Sequence, residues 1–177
     1  HGGSWLVERL WAPWRIDYVT GAAVEASSDN CVFCAAQTRT GSESLIVARG
    51  QTCFVILNLY PYNSGHLMVV PNRHVGSLGE ASRQELTELM VQTRRAEIAL
   101  TEAYRPHGMN VGINLGRSAG AGIPGHLHMH LVPRWDGDTN FMTVVGETRV
   151  VPEELPKTLK RLTPIFDRLA QADTGAD

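Results

Sequence analysis

Two periodicities divide the chain. Alternation of apolar with polar or small residues, the period of a strand whose side chains point to opposite faces, marks several short stretches. Residues 45–50 and 52–59 are β-branched, apolar runs around Gly50-Gln51 and predict a hairpin. Residues 66–71 predict a further strand that ends at Pro71. Residues 109–115 and 126–133 predict two more, with 141–145 as a last edge strand. Helical spacing appears twice. In residues 80–104, Leu86, Leu89, Met90, Thr93, Ala96 and Leu100 form one apolar stripe, and Ser82 with Glu85 three residues later reads as a capping box. Pro106-His107-Gly108 stops that helix. Residues 153–171 predict a second, with Leu155, Leu159, Leu162, Ile165, Phe166 and Leu169 inward and Lys157, Lys160, Arg161 and Arg168 mostly outward. The order β-β-β-α-β-β-α predicts one antiparallel α+β domain: a sheet of about five strands, a long helix and a C-terminal helix.

Between these elements lie two punctuated segments. Tyr60-Pro61-Tyr62-Asn63-Ser64-Gly65 is a turn cluster. Residues 116–125 carry four glycines in ten positions, which exposes backbone N–H groups able to cradle an anion. Ahead of the domain, residues 5–20 hold three of the four tryptophans, a payload expected to pack on the domain or on a partner subunit. Residues 21–30 read as a flexible linker, and residues 1–4 as a possible tag remnant.

Composition narrows the class. A net charge of −2 argues against nonspecific nucleic-acid or membrane attraction. No apolar run reaches the ~18 residues of a membrane helix. Three cysteines without a recognisable secretory signal point to a reducing compartment, so a cytoplasmic setting is expected.

The chemistry concentrates in residues 126–133. His126, His128 and His130 alternate with Leu127, Met129 and Leu131, so the imidazoles share one strand face while the apolar partners enter the core. Three imidazoles could bind a catalytic zinc ion and activate water. Alternatively, one could attack phosphorus while its neighbours orient it and neutralise phosphate. The glycine-rich loop just before them favours the second reading. Cys31-Val32-Phe33-Cys34 is half of a zinc site or a redox pair; its position after a polar linker favours zinc. Cys53 reads as a small core hydrophobe, and His66 and His107 as structural residues.

His126-Leu127-His128-Met129-His130-Leu131-Val132-Pro133 resembles the signature of the histidine-triad nucleotide hydrolases and transferases. The resemblance takes in Asn110–Asn114, the glycine loop, Asn58-Leu59, Gly65–Pro71, Cys31–Cys34 and the run from Pro133 to Phe141. It looks most like the branch of diadenosine tetraphosphate phosphorylases and related hydrolases. It implies a histidine-triad domain over 31–145, with extensions at 1–30 and 146–177. It further implies a nucleotidyl-histidine mechanism with His128 as nucleophile and His130 on phosphate. Asn114, Ser118, Gly120 and Gly122 would hold phosphate oxygens, while Val32, Phe33, Leu57 and Leu59 wall the base and Asn58 meets the ribose. Zinc-containing members imply a structural Cys31, Cys34, His74 and His126 site, and the family implies a homodimer and a dinucleoside polyphosphate substrate. Two positions depart from the common pattern: Asn58 stands where many members have Asp, and Gly122-Ile123-Pro124 where many have Gln-Ser. Phosphoramidate or nucleotide-ester hydrolysis, a non-enzymatic nucleotide-binding module and a metallohydrolase remain as alternatives.

Overall fold

The computed structural model describes residues 28–40, 44–138 and 153–174. Five strands form one antiparallel sheet: β1 (Ile46–Arg49), β2 (Cys53–Leu57), β3 (Leu67–Pro71), β4 (Gly108–Ile113) and β5 (Met129–Arg134), in spatial order β1-β2-β3-β5-β4. Among the described residues three α-helices accompany it: α1 (Val32–Thr38), α2 (Arg83–Tyr104) and α3 (Leu155–Thr174). The expected class, sheet and two long helices are therefore present. Helix α1 is not among the sequence expectations, and the strand expected at 141–145 lies outside the described residues.

Helix α2 starts where the capping box predicts. The Ser82 hydroxyl accepts from the Glu85 backbone N–H, and the Glu85 carboxylate accepts from the Ser82 N–H at 2.7 Å. Its buried face carries Leu89, Thr93, Ala96, Ala99 and Leu100, whereas Met90 is 57% exposed and leaves the predicted stripe. Register sorts the sheet into two faces. Val55, Leu57, Leu67, Val69, Met129 and Leu131 pack under α2 and α3 with Leu162 and Phe166. Phe54, Ile56, Met68 and Val70 point the other way, under Cys31, Phe33 and Ala36 at α1. Burying each large side chain of this kind contributes roughly 1.5–3 kcal/mol, so α1, although only seven residues long, is held by the sheet.

The histidine strand begins later than its alternation suggests. β3 ends at Pro71, which has no N–H to extend a ladder, and its last partner on β5 is Met129 opposite Val69. Upstream, the Leu127 N–H donates to the Val75 carbonyl and the His126 N–H to Ile123, so His126 and His128 precede the regular strand. Leu127, Met129 and Leu131 are nevertheless buried, as the period-2 pattern requires.

A candidate nucleotidyl-transfer site beside a Cys2His2 cluster

Each triad imidazole is oriented by a different partner. His126 donates its Nε2–H to the Pro71 carbonyl at 2.9 Å, the tautomer assigned by that acceptor. Its Nδ1 lone pair is thereby aimed at Cys31 Sγ, 3.2 Å away, and Cys34 Sγ, 3.6 Å away. His128 donates its Nδ1–H to the His126 carbonyl at 2.7 Å, which leaves Nε2 as the unprotonated nitrogen. Burial holds His128 below the ordinary imidazole pKa, against the opposing pull of that carbonyl. His130 receives at Nδ1 a hydrogen bond from His66 Nε2–H at 2.9 Å. His66 is itself fixed because its Nδ1 accepts from the Tyr62 N–H at 3.1 Å.

His66 is thus part of the site rather than an ordinary structural residue. Its ring is 1% exposed, stacks on Tyr62 at 4.9 Å and, by donating to His130 Nδ1, places the proton of a neutral His130 on Nε2. Burial, then the neighbouring His130 and His128, pushes its pKa down to about 3, so it stays neutral and its single N–H is committed to His130. The sequence signal for this role is Gly65-His66 at the start of a strand that pairs with the histidine strand. His107 instead lies exposed beside Asp136.

Phe33 forms one wall, its ring 5.1 Å from His128 and 5.4 Å from His126. Val32 and Leu59 are each 56% exposed at the surface. Leu57 does not join them: it is buried under α2 on the opposite face of the sheet. Period-2 geometry puts Ile56, not Leu57, on the face of Phe33. Asn58 Oδ1 accepts from the Tyr60 N–H at 2.9 Å, with its amide nitrogen 3.4 Å from His66. The loop after β4 turns at Gly116 and Gly120, both with positive φ. Ser118 lies in a 3-10 turn within it, and Asn114 Nδ2 donates to the Gly120 carbonyl at 3.5 Å. Gly122 follows, half-buried.

The donors of Cys31, Cys34, His74 and His126 all lie within 4.8 Å of one another, and Cys34 Sγ is 3.5 Å from His74 Nδ1. A tetrahedral zinc ion with Zn–S of about 2.3 Å and Zn–N of about 2.0 Å would separate its ligands by roughly 3.3–3.8 Å. The four residues therefore fit a metal ion, and the Cys2His2 set is closed, with no side left for water. Burial and the neighbouring Cys31 thiol push the Cys34 thiol up to about 11. The three triad imidazoles do not converge, because cysteines, a carbonyl and His66 each claim a different ring nitrogen.

The HIT domain pattern matches residues 39–137. The chain is also 44% identical over 167 residues to an AP-4-A phosphorylase of Mycobacterium tuberculosis (strain ATCC 25618 / H37Rv), a match covering 92% of this chain and 86% of that protein. The chain belongs to the HIT domain family. Within this HIT family it is 29% identical to the asymmetrical bis(5'-nucleosyl)-tetraphosphatase of Schizosaccharomyces pombe (strain 972 / ATCC 24843), over 70% of the chain and 64% of that enzyme. Among solved structures it resembles a Zn-bound histidine triad family protein from Mycobacterium smegmatis, with TM-score 0.65 and 25% identity, covering 82% of this chain and 99% of that one. Among the described residues no helix is long and apolar enough to cross a membrane.

Proposed function

We propose that this HIT-domain chain cleaves dinucleoside polyphosphates by transferring a nucleotidyl group through His128, most simply as a diadenosine tetraphosphate phosphorylase or hydrolase. The observation that carries this reading is the tautomer of His128. Its Nδ1–H is committed to a backbone carbonyl, so the unprotonated nitrogen of this buried ring is Nε2, with the His130 ring 4.9 Å away. That nitrogen bonds to the α-phosphorus as the bridging P–O bond breaks and the nucleoside polyphosphate departs. A phosphate or water oxygen then bonds to the same phosphorus, the N–P bond breaks, and the imidazole returns to its starting state. His130 Nε2–H, Asn114 and the Ser118, Gly120 and Gly122 segment offer hydrogen bonds to the phosphoryl oxygens, where charge grows in the transition state. Phe33, Val32 and Leu59, with Ile56 beneath, bound a slot for the base, and Asn58 lies within reach of a ribose.

The metal read into Cys31, Cys34, His74 and His126 is zinc, whose contribution here is cross-linking. Residues 31–145 are taken as the reacting unit, with 1–30 and 146–177 as extensions, in a cytoplasmic protein. We also read the chain as a homodimer. β4 pairs only with β5 among the described residues, and its free edge lies near Val111 and Leu115, 49% and 46% exposed. Met90 is exposed one helical turn from Thr93, whose hydroxyl reaches Met129 of β5. An open apolar edge of this kind invites a second strand.

Product analysis with diadenosine tetraphosphate, with and without inorganic phosphate, tests the reaction. ATP plus ADP means phosphorolysis, and ATP plus AMP asymmetric hydrolysis. No cleavage under either condition overturns the proposal. On the same preparation, intact-mass measurement after rapid acid-free quenching should reveal an adduct of AMP mass on the native chain, absent from His128→Ala.

A further inference from the structure

The sheet face that carries the reactive imidazoles is only partly covered. Helix α1 lies over β2 and β3, where Phe33 and Ala36 meet Phe54, Ile56, Met68 and Val70. Above β4 and β5 the described residues leave a cleft of about 410 Å³, lined by Tyr62, Asn63, Asn110, Gly112, His130 and Arg134, among others. This volume lies within the range of small-molecule sites. His130 stands at one end. Arg134 stands four residues further along β5 on the same face, about 13 Å away at ~3.3 Å per residue.

The cleft floor is kept open by sequence. Gly112 is the partner of His130 across the β4–β5 ladder, and no atom lies within 4 Å of the Cβ that another residue would place there. At the far end an exposed arginine is held in a fixed pose. Asp138 takes Arg134 Nε–H at 2.6 Å and Nη2–H at 2.7 Å, and Asn110 Oδ1 takes Nη1–H at 3.0 Å. Asp138 is in turn anchored by Asn63 Nδ2 at 2.8 Å and by the Trp135 N–H at 3.1 Å. Arginine surrenders rotamer entropy when immobilised, yet this one remains 42% exposed to solvent. Its charge is offset by Asp138, so what it presents to the cleft is chiefly a rigid, planar group. Tyr62, 44% exposed, supplies a second planar group 6.3 Å from the His130 ring. Planar groups lining one cleft suit a purine better than a bare phosphate.

We propose that this cleft is the subsite for the second nucleoside of the dinucleoside polyphosphate, the one that departs, with its purine packed against Tyr62 and Arg134. The assignment rests on the nucleotidyl-transfer reading above, and extends it. The transferred nucleotide occupies the Phe33 side of His128, while the leaving half runs from His130 along β5. The enzyme would then select substrates by what is expelled as well as by what is transferred.

Three substrates sharing one AMP half separate the possibilities: diadenosine tetraphosphate, adenosine 5′-tetraphosphate, and the p-nitrophenyl ester of AMP. The readout is kcat/KM for the first relative to each of the others, in the native chain, Arg134→Gln and Asn110→Leu. Asn110→Leu alters an exposed edge-strand position and so guards against a folding failure of Arg134→Gln. Both ratios should fall at least tenfold in each variant, through KM for the dinucleotide. If all three substrates decline together, Arg134 and Asp138 merely latch the end of β5 and the proposal is wrong. If adenosine tetraphosphate declines with the dinucleotide, the cleft reads the phosphate chain and the purine assignment is wrong. A native chain that transfers AMP from none of the three sinks the nucleotidyl-transfer reading itself, a result distinct from either of these.

Discussion

A hydrogen bond between two imidazoles decides what His130 can do. With Tyr62 N–H on His66 Nδ1, the only proton on the His66 ring is at Nε2, and it is given to His130. His66 is a positioning residue: it sets the tautomer of its neighbour. Replacing it with Phe keeps the ring volume and removes both bonds. We expect His66→Phe to lower kcat at least tenfold with KM for nucleotide changed less than threefold, while His66→Gln, which retains a donor, recovers part of the loss. Equal activity of His66→Phe and the native chain would refute the relay. A second residue-scale effect concerns acid stability. Glu85 takes a bidentate bond from Arg73, at 3.0 and 2.8 Å, as well as the Ser82 N–H, and these hold its carboxyl down to about 2. Its pKa is depressed in the folded chain, so the unfolded chain binds the proton more tightly. The stabilisation is complete above the ordinary value of about 4.5 and disappears as pH falls towards 2. Arg73→Gln should therefore lower the melting temperature at pH 7, and the gap from the native chain should narrow progressively below about pH 4.5.

At the scale of elements, α1 binds everything on its side of the sheet into one unit. Cys31 occupies its N-cap position, Cys34 lies in its first turn, and Phe33 between them touches both His126 and His128. A seven-residue helix is far below the ~12–15 residues at which isolated helices become even marginal. Cys34→Ser should therefore lose the metal, measured as about one zinc per native chain, and lower the melting temperature. Chelation of the native protein should do the same, and a variant equally stable and still zinc-loaded would remove Cys34 from the site. The same brevity explains why α1 could not be read from the sequence: two turns give too few positions to establish a period, and its support comes from Phe54, Ile56, Met68 and Val70, remote in the chain. The other helices and the strands were legible because their patterns are long or, at Ser82 and Glu85, carry a local cap. Cys31, Cys34, His74 and His126 likewise come together in space as the family resemblance implied. Met90 broke its pattern because helical spacing reports which residues are apolar, not which of them this chain's own sheet covers. Leu57 lies on the opposite wall from the one the resemblance implies, and alternation along β2 gives that place to Ile56. The role of His66 is hard to read in sequence because its signal is not local: His66 precedes a strand that pairs with the histidine strand, and the residues around it do not record that pairing.

For the whole molecule, the two sheet edges differ. β1 lies next to α3, whereas β4 has no neighbour beyond it among the described residues and carries Val111, 49% exposed. Val111→Glu should shift the protein from dimer to monomer in light scattering, with little effect on the fold, since one charge at an open edge blocks strand addition. A native chain that is already monomeric would refute the homodimer.

β5 presents the imidazole of His130 and is also paired on both sides, to β3 over Met129–Leu131 and to β4 along its whole length. Those partners come from opposite halves of the chain, so β5 cannot be released without parting the sheet. Amide protons of Met129 to Val132 should therefore exchange with solvent only through global unfolding, and those of the glycine loop at 116–120 orders of magnitude faster. Fast exchange throughout β5 would contradict this. The two sides of the reaction centre then live on separate clocks: the imidazole side changes only when the molecule unfolds, and the phosphate-holding side many times between such events.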